Sequence, residues 1–116
     1  MNDEQNVDEQ VRQIEISSEF AQSLVDKGDM WSKLLENKEF KTLVIEGYFK
    51  DESERLVGLL ADPEFDTEEK KTDLYSQMAG IAHFRMKIVQ DQRMAHQMRG
   101  KLASNNATIA DLESGE

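Results

Sequence analysis

The stretch TEEKKTDLYSQMAGIAHFRMKIVQDQRMAHQMRGKLA, residues 67–103, decides the fold. It contains no proline, it opens with Glu68 and Glu69 where a helix dipole favours acids, and Asp62-Pro63 stops whatever precedes it. A helix from Asp66 or Thr67 to Ala103 is about 36 residues, or roughly 54 Å. That is longer than the rest of one small domain is wide. Leu74, Ile81, Ile88, Ala95 and Leu102 keep a seven-residue repeat, with Met78, Phe84 and Met98 beside the line. The seam weakens between Gln90 and Arg93. Its first half, Leu74 to Val89, reads as core. Its second half carries Met94, Met98 and Leu102 with little sequence left to cover them. The expectation is self-association through Ile88, Met94, Ala95, Met98 and Leu102.

Outward from this helix the signals are shorter. Asp51 and Glu54 read as a capping box opening a helix with Leu56, Val57, Leu59 and Leu60 on its apolar face. Phe40, Leu43, Val44 and Tyr48 follow a helical period, and Gly47 predicts a bend near residues 47–51. Trp31, Leu34 and Leu35 continue it upstream. Ser17 and Ser18 supply a cap for a helix over 18–27, with Phe20, Ala21, Leu24 and Val25 as its stripe and Gly28 as either its close or a weak point in a longer run. Residues 1–16 are dominated by Asp, Glu, Gln and Asn, with Val7, Val11 and Ile14 at helical spacing. They read as a flexible acidic segment, and residues 104–116 as a flexible tail. The domain is therefore 17–103: an all-α bundle of three or four short helices packed on one long C-terminal helix.

Composition narrows the function classes. The 116 residues hold 24 acids, 14 bases, one proline and no cysteine, for a net charge of -10. Disulfides and thiolate metal sites are excluded, and no apolar run approaches the roughly 20 residues of a membrane span. The acidic start lacks the basic and apolar regions of a secretory signal, which points to an intracellular location. Charge is segmented. Residues 1–66 carry 17 acids against 7 bases, while residues 81–102 carry Arg85, Lys87, Arg93, Arg99 and Lys101 against Asp91 alone. Those five bases are the candidate contacts for nucleic acid or an acidic partner. Spread over about five turns beside acidic flanks, they favour a solvated face over a polyanion site.

Catalytic and cofactor signals are absent from the pattern. His83 and His96 stand 13 residues apart, ~20 Å along a helix, and cannot share one ion. Asp62, Glu64, Asp66, Glu68 and Glu69 form the densest acidic run without the glycine turn of a calcium loop. Gly28, Gly47, Gly58, Gly80 and Gly100 make no phosphate loop. The aromatics fall mostly on helical apolar faces, and Met78, Met86, Met94 and Met98 suit either a core or an adaptable groove for a partner. No enzyme and no cofactor is expected.

From residue 31 to 63, Trp31, Leu34, Leu35, Asn37, Phe40, Leu43, Val44, Glu46, Gly47 and Tyr48, then Glu54, Arg55, Leu56, Val57, Leu59, Leu60, Ala61, Asp62 and Pro63, resemble a small helical protein carried by tailed bacteriophages. The resemblance covers under a third of the chain and has no catalytic motif to transfer. It implies a role in the phage particle or its assembly, as a capsid, scaffold or head-tail component, or else an accessory protein acting on the host. The leading expectation is a structural or assembly protein acting by homo-oligomerisation or by docking its long helix into a larger complex. The alternative is an acidic, DNA-mimicking inhibitor of a host nuclease or DNA-binding protein. Lys33, Lys38, Lys41, Lys50 and Arg55 interrupt the carboxylate array that mimicry needs.

Overall fold

The structure is a computed structural model that describes residues 2–115. All of its regular structure among the described residues is helical. Helix α1 runs Asn2–Leu35, and a one-turn helix α2 (Lys38–Phe40) leads into a π-helical segment, Lys41–Glu52. Helix α3 (Ser53–Leu60) and a 3-10 turn (Pro63–Phe65) precede α4, Glu68–Glu113. The long C-terminal helix is as expected in kind and ten residues longer at its end. The chain divides into two compact units: residues 2–31 with 91–115, and residues 32–90.

The first unit is a pair of helix segments, where a short helix and two flexible ends were expected. Residues 2–16 and 104–113 are helical, and Gly28 lies inside α1 instead of closing it. The reason is a spacing of alternating four and three residues. Val7, Val11, Ile14, Ser18, Ala21, Val25 and Gly28 fall on one face of α1, all buried or half-buried. On α4 the matching face is Ala95, Met98, Leu102, Asn105, Ile109 and Leu112. Such spacing keeps one seam against a partner helix. The pairing is antiparallel: Trp31 Nε1 donates to Asp91 Oδ2 at 2.8 Å, and Asn105 Nδ2 donates to Ser18 Oγ at 3.0 Å near the other end. The Ser18–Asn105 bond is a polar pair within the seam, a device that selects one register over its slipped alternatives. Where Gly28 faces Ala95 the backbones approach closely. A Cβ built on Gly28 would lie 2.2 Å from the Ala95 Cβ.

The second unit has a core of Phe49, Leu56, Leu74, Ile81 and Ile88. Asn37 Oδ1 accepts from the Phe40 N–H at 2.8 Å and starts the helical run. The expected bend at 47–51 and capping box at Asp51 are not formed. The chain passes through this region as a π-helix and continues into α3, and Glu52 bonds Arg55 instead of capping. An i→i+5 bond widens the turn to about 4.4 residues. Phe40, Val44 with Ile45, Phe49 and Ser53 recur at that interval, and all are buried or half-buried. Leu43 and Tyr48, which a 3.6-residue period places on the apolar face, are 71% and 41% exposed. Gly47 suits the wide turn, since a Cβ there would lie 3.0 Å from the Thr42 carbonyl oxygen. Tyr48, Phe49 and Phe84 form an aromatic cluster, with Phe49 and Phe84 centroids 5.3 Å apart. Asp62 Oδ1 accepts from Glu64 N at 2.9 Å and Pro63 follows at the first position of the 3-10 turn. Thr67 Oγ1 then accepts from Lys70 N at 3.2 Å in the first turn of α4.

Candidate interaction surface

The residues expected to seek another chain are mostly packed within their own. Ile88 is 4% exposed in the core of the second unit, and Ala95 is 1% exposed in the first. Met98 and Leu102 are half-buried in the α4 seam, and Met94, at 41%, is the only one of the five that is largely exposed. The stripe on the second half of α4 faces the N-terminal segment, whose Val7, Val11 and Ile14 carry the same four-three spacing. Counting apolar residues alone undervalues that segment. Ser18 and Asn105 sit in the seam as a satisfied pair, and Ala21 and Gly28 contribute closeness instead of bulk.

The five bases do not make one surface. Arg99 pairs with Asp29 across the first unit. At 100° per residue, Arg93, Arg99 and Lys101 point in widely separated directions around α4. In the second unit Arg85 and Lys87 are also on different faces. His83 and His96 are both exposed. Among the described residues no group of three His, Asp or Glu converges on a point that could hold a metal. No helix of the described residues is long and apolar enough to cross a membrane.

Two exposed pairs shift their own titration. Arg55 donates to both carboxylate oxygens of Glu52, at 2.9 and 2.5 Å, which lowers the Glu52 carboxyl and raises the guanidinium. The Lys71 ammonium, 2.8 Å from Asp66, lowers that carboxyl below the usual range through its hydrogen bond and charge. Lys71 is raised in turn. Both pairs are solvent-exposed and contribute little to stability.

Two surface features have the geometry of binding elements; sequence reading missed the first, and for the second it offered Met78 and Met86 as either core or an adaptable groove. The first is the outer face of α1 in the first unit. Phe20, expected in the apolar stripe beside Ala21, is 67% exposed; Ile16 one turn before it is 53% exposed, and Met30 is 65% exposed. Once the seam of Val7, Val11, Ile14, Ser18, Ala21 and Val25 is set, these positions fall on the opposite side. That frame was the signal available. The second feature is a groove of about 410 Å³ on α4 in the second unit, lined by Ser53, Met78, Ile81, Ala82, Arg85, Met86 and Val89. Arg85 forms no ion pair or hydrogen bond there among the described residues. A larger hollow of about 730 Å³, between Phe65 and Ser76, is lined mostly by polar and charged residue types, and its Lys70 is already engaged with the Glu64 carbonyl at 2.7 Å and the Phe65 ring.

Comparison with known proteins finds no family model, no curated protein and no solved structure that matches the chain.

Proposed function

We propose that this protein is a non-catalytic assembly protein that works by self-association through exposed apolar helix faces. The observation that carries this reading is the outward row on α1, where Ile16, Phe20 and Met30 are each more than half exposed while the opposite face is already packed. Three large apolar side chains held outward on a helix whose other side is rigidly paired cost solvation with no return inside the chain. Ile16 and Phe20 stand one turn apart as a contiguous apolar patch, with Met30 roughly 15 Å further along the same side, and a contiguous exposed patch marks a contact surface. The seam on α4 first expected to serve this purpose is not part of the proposal, because α1 covers it. The setting we propose is the tailed-phage particle or its assembly, supported by the resemblance over residues 31–63.

Sedimentation velocity and light scattering over a wide concentration range test the reading. Larger species should grow with concentration by mass action. A single monomeric species at every concentration overturns it.

A further inference from the structure

We infer that the outer ridge of α1 in one copy of this chain seats in the α4 groove of a second copy, making a head-to-tail contact; this rests on the self-association reading above. The groove runs along α4 with Ser53 of α3 at its margin, and its α4 lining falls in two rows of side chains that each advance four residues at a time. Met78, Ala82 and Met86 form one row, and Ile81, Arg85 and Val89 form the other. Ala82 is short between its two methionine neighbours, which leaves the floor open. The ridge on α1 is also a four-residue row, Ile16 and Phe20, with Glu19 one position aside. A four-residue ridge fits a four-residue groove with the axes crossing at about −50°, the commonest geometry of helix packing. Methionine walls adapt to an aromatic ring.

Charge selects the same occupant. Residues 1–31 hold eight acids against two bases, and the groove carries Arg85 with no carboxylate among its lining side chains. Glu19 and Arg85 each have no partner within the chain among the described residues, and the docked ridge brings Glu19 to the wall that carries Arg85. Opposite fields of this kind set orientation and speed encounter. Ridge and groove are different patches, so every copy offers one of each, and the contact propagates into a ring or a filament. A phenylalanine ring buries about 150–250 Å², and a stable interface needs about 800 Å² per partner. Each contact is therefore weak and reversible on dilution.

The experiment is association of the full chain by sedimentation velocity, with helicity by circular dichroism as the check on folding. Phe20→Glu disables the ridge and Met86→Glu the groove; both side chains are exposed, so the fold persists. Each variant alone should associate at least tenfold more weakly than the parent. An equimolar mixture should form a dimer and nothing larger, because one intact ridge meets one intact groove. Arg85→Glu with Glu19→Arg should weaken association separately and restore it when mixed. Leu43→Glu, at an unrelated exposed apolar position, should leave it unchanged. If the parent associates but Phe20→Glu does not weaken it, if the mixture is no better than its components, or if Leu43→Glu disrupts equally, this contact is wrong while self-association stands. A monomeric parent removes both.

Discussion

Gly28→Ala separates two readings of one residue by the sign of its effect. If Gly28 were only a weak point in a helix, replacing it by Ala would stabilise the chain by about 1 kcal/mol through helix propensity. In the helix pair of the first unit the added methyl would stand 2.2 Å from the Ala95 Cβ and 3.3 Å from the Asp91 carbonyl oxygen. Neither obstacle is the free end of a flexible side chain. The helices must part by more than an ångström to restore ordinary contact, and overpacking of this kind costs ~1–3 kcal/mol. The same displacement strains the Trp31–Asp91 hydrogen bond, 2.8 Å long and three residues from the crossing. The steric cost outweighs the propensity gain, and the net expectation is a loss of about 1 kcal/mol, reaching ~2 kcal/mol if that bond is broken. Urea denaturation followed by circular dichroism and by the fluorescence of Trp31, the only tryptophan, measures it. Ala95→Gly in the same chain removes the opposing methyl, so the double variant should recover stability relative to Gly28→Ala, although Ala95→Gly alone costs about 1 kcal/mol. A Gly28→Ala protein as stable as the parent, or more so, would refute the close crossing.

Leu74, 2% exposed, and Leu43, 71% exposed, should behave oppositely on truncation: Leu74→Ala lowers the unfolding free energy by ~2–5 kcal/mol, whereas Leu43→Ala changes it by under ~0.5 kcal/mol in the same urea titration. Trp31→Phe removes the donor to Asp91 and should cost about 1 kcal/mol by circular dichroism. Lys71→Met should return the Asp66 carboxyl to its ordinary range in a carbon-detected NMR titration. Asp66 is lowered, so its contribution is present above the ordinary carboxylate range and lost as pH falls through the lowered value. Lys71 is raised, so its contribution is present below the ordinary lysine value and lost as pH rises through the raised one.

The last helix was legible because Leu74, Ile81, Ile88, Ala95 and Leu102 repeat without a break, and all are buried or half-buried. Helix α1 was not, because the residues that build its seam are not all apolar. Ser18 belongs there through its bond to Asn105, and Gly28 through the closeness of Ala95. Read locally, Ser18 is a cap and Gly28 a stop; both meanings depend on a segment far away in the chain. The π-helical stretch was hidden for another reason. A 3.6-residue period selects Leu43 and Tyr48, and only the wider turn explains why Phe49 is inside and those two are out. The same local view put Phe20 in the core with Ala21, and with it the outer ridge of α1 went unseen.

The order in which the first unit is stitched has a consequence for how the chain acquires its shape. Its hydrogen bonds and ion pairs join residues 60, 70 and 87 apart in sequence: Trp31 with Asp91, Asp29 with Arg99, and Ser18 with Asn105. Closing the first of these loops carries the largest entropic penalty, and each later pair then closes only the few residues beyond the last. The unit therefore zips from Trp31 and Asp91 toward the two termini, after the intervening stretch has collapsed, and on the ribosome its N-terminal half waits until the final helix emerges. Pulse-labelled hydrogen exchange should find amides of the second unit protected before those near Ser18 and Asn105, and the reverse order would contradict this route. Trimming either end should then shorten the zipper by turns without unravelling it.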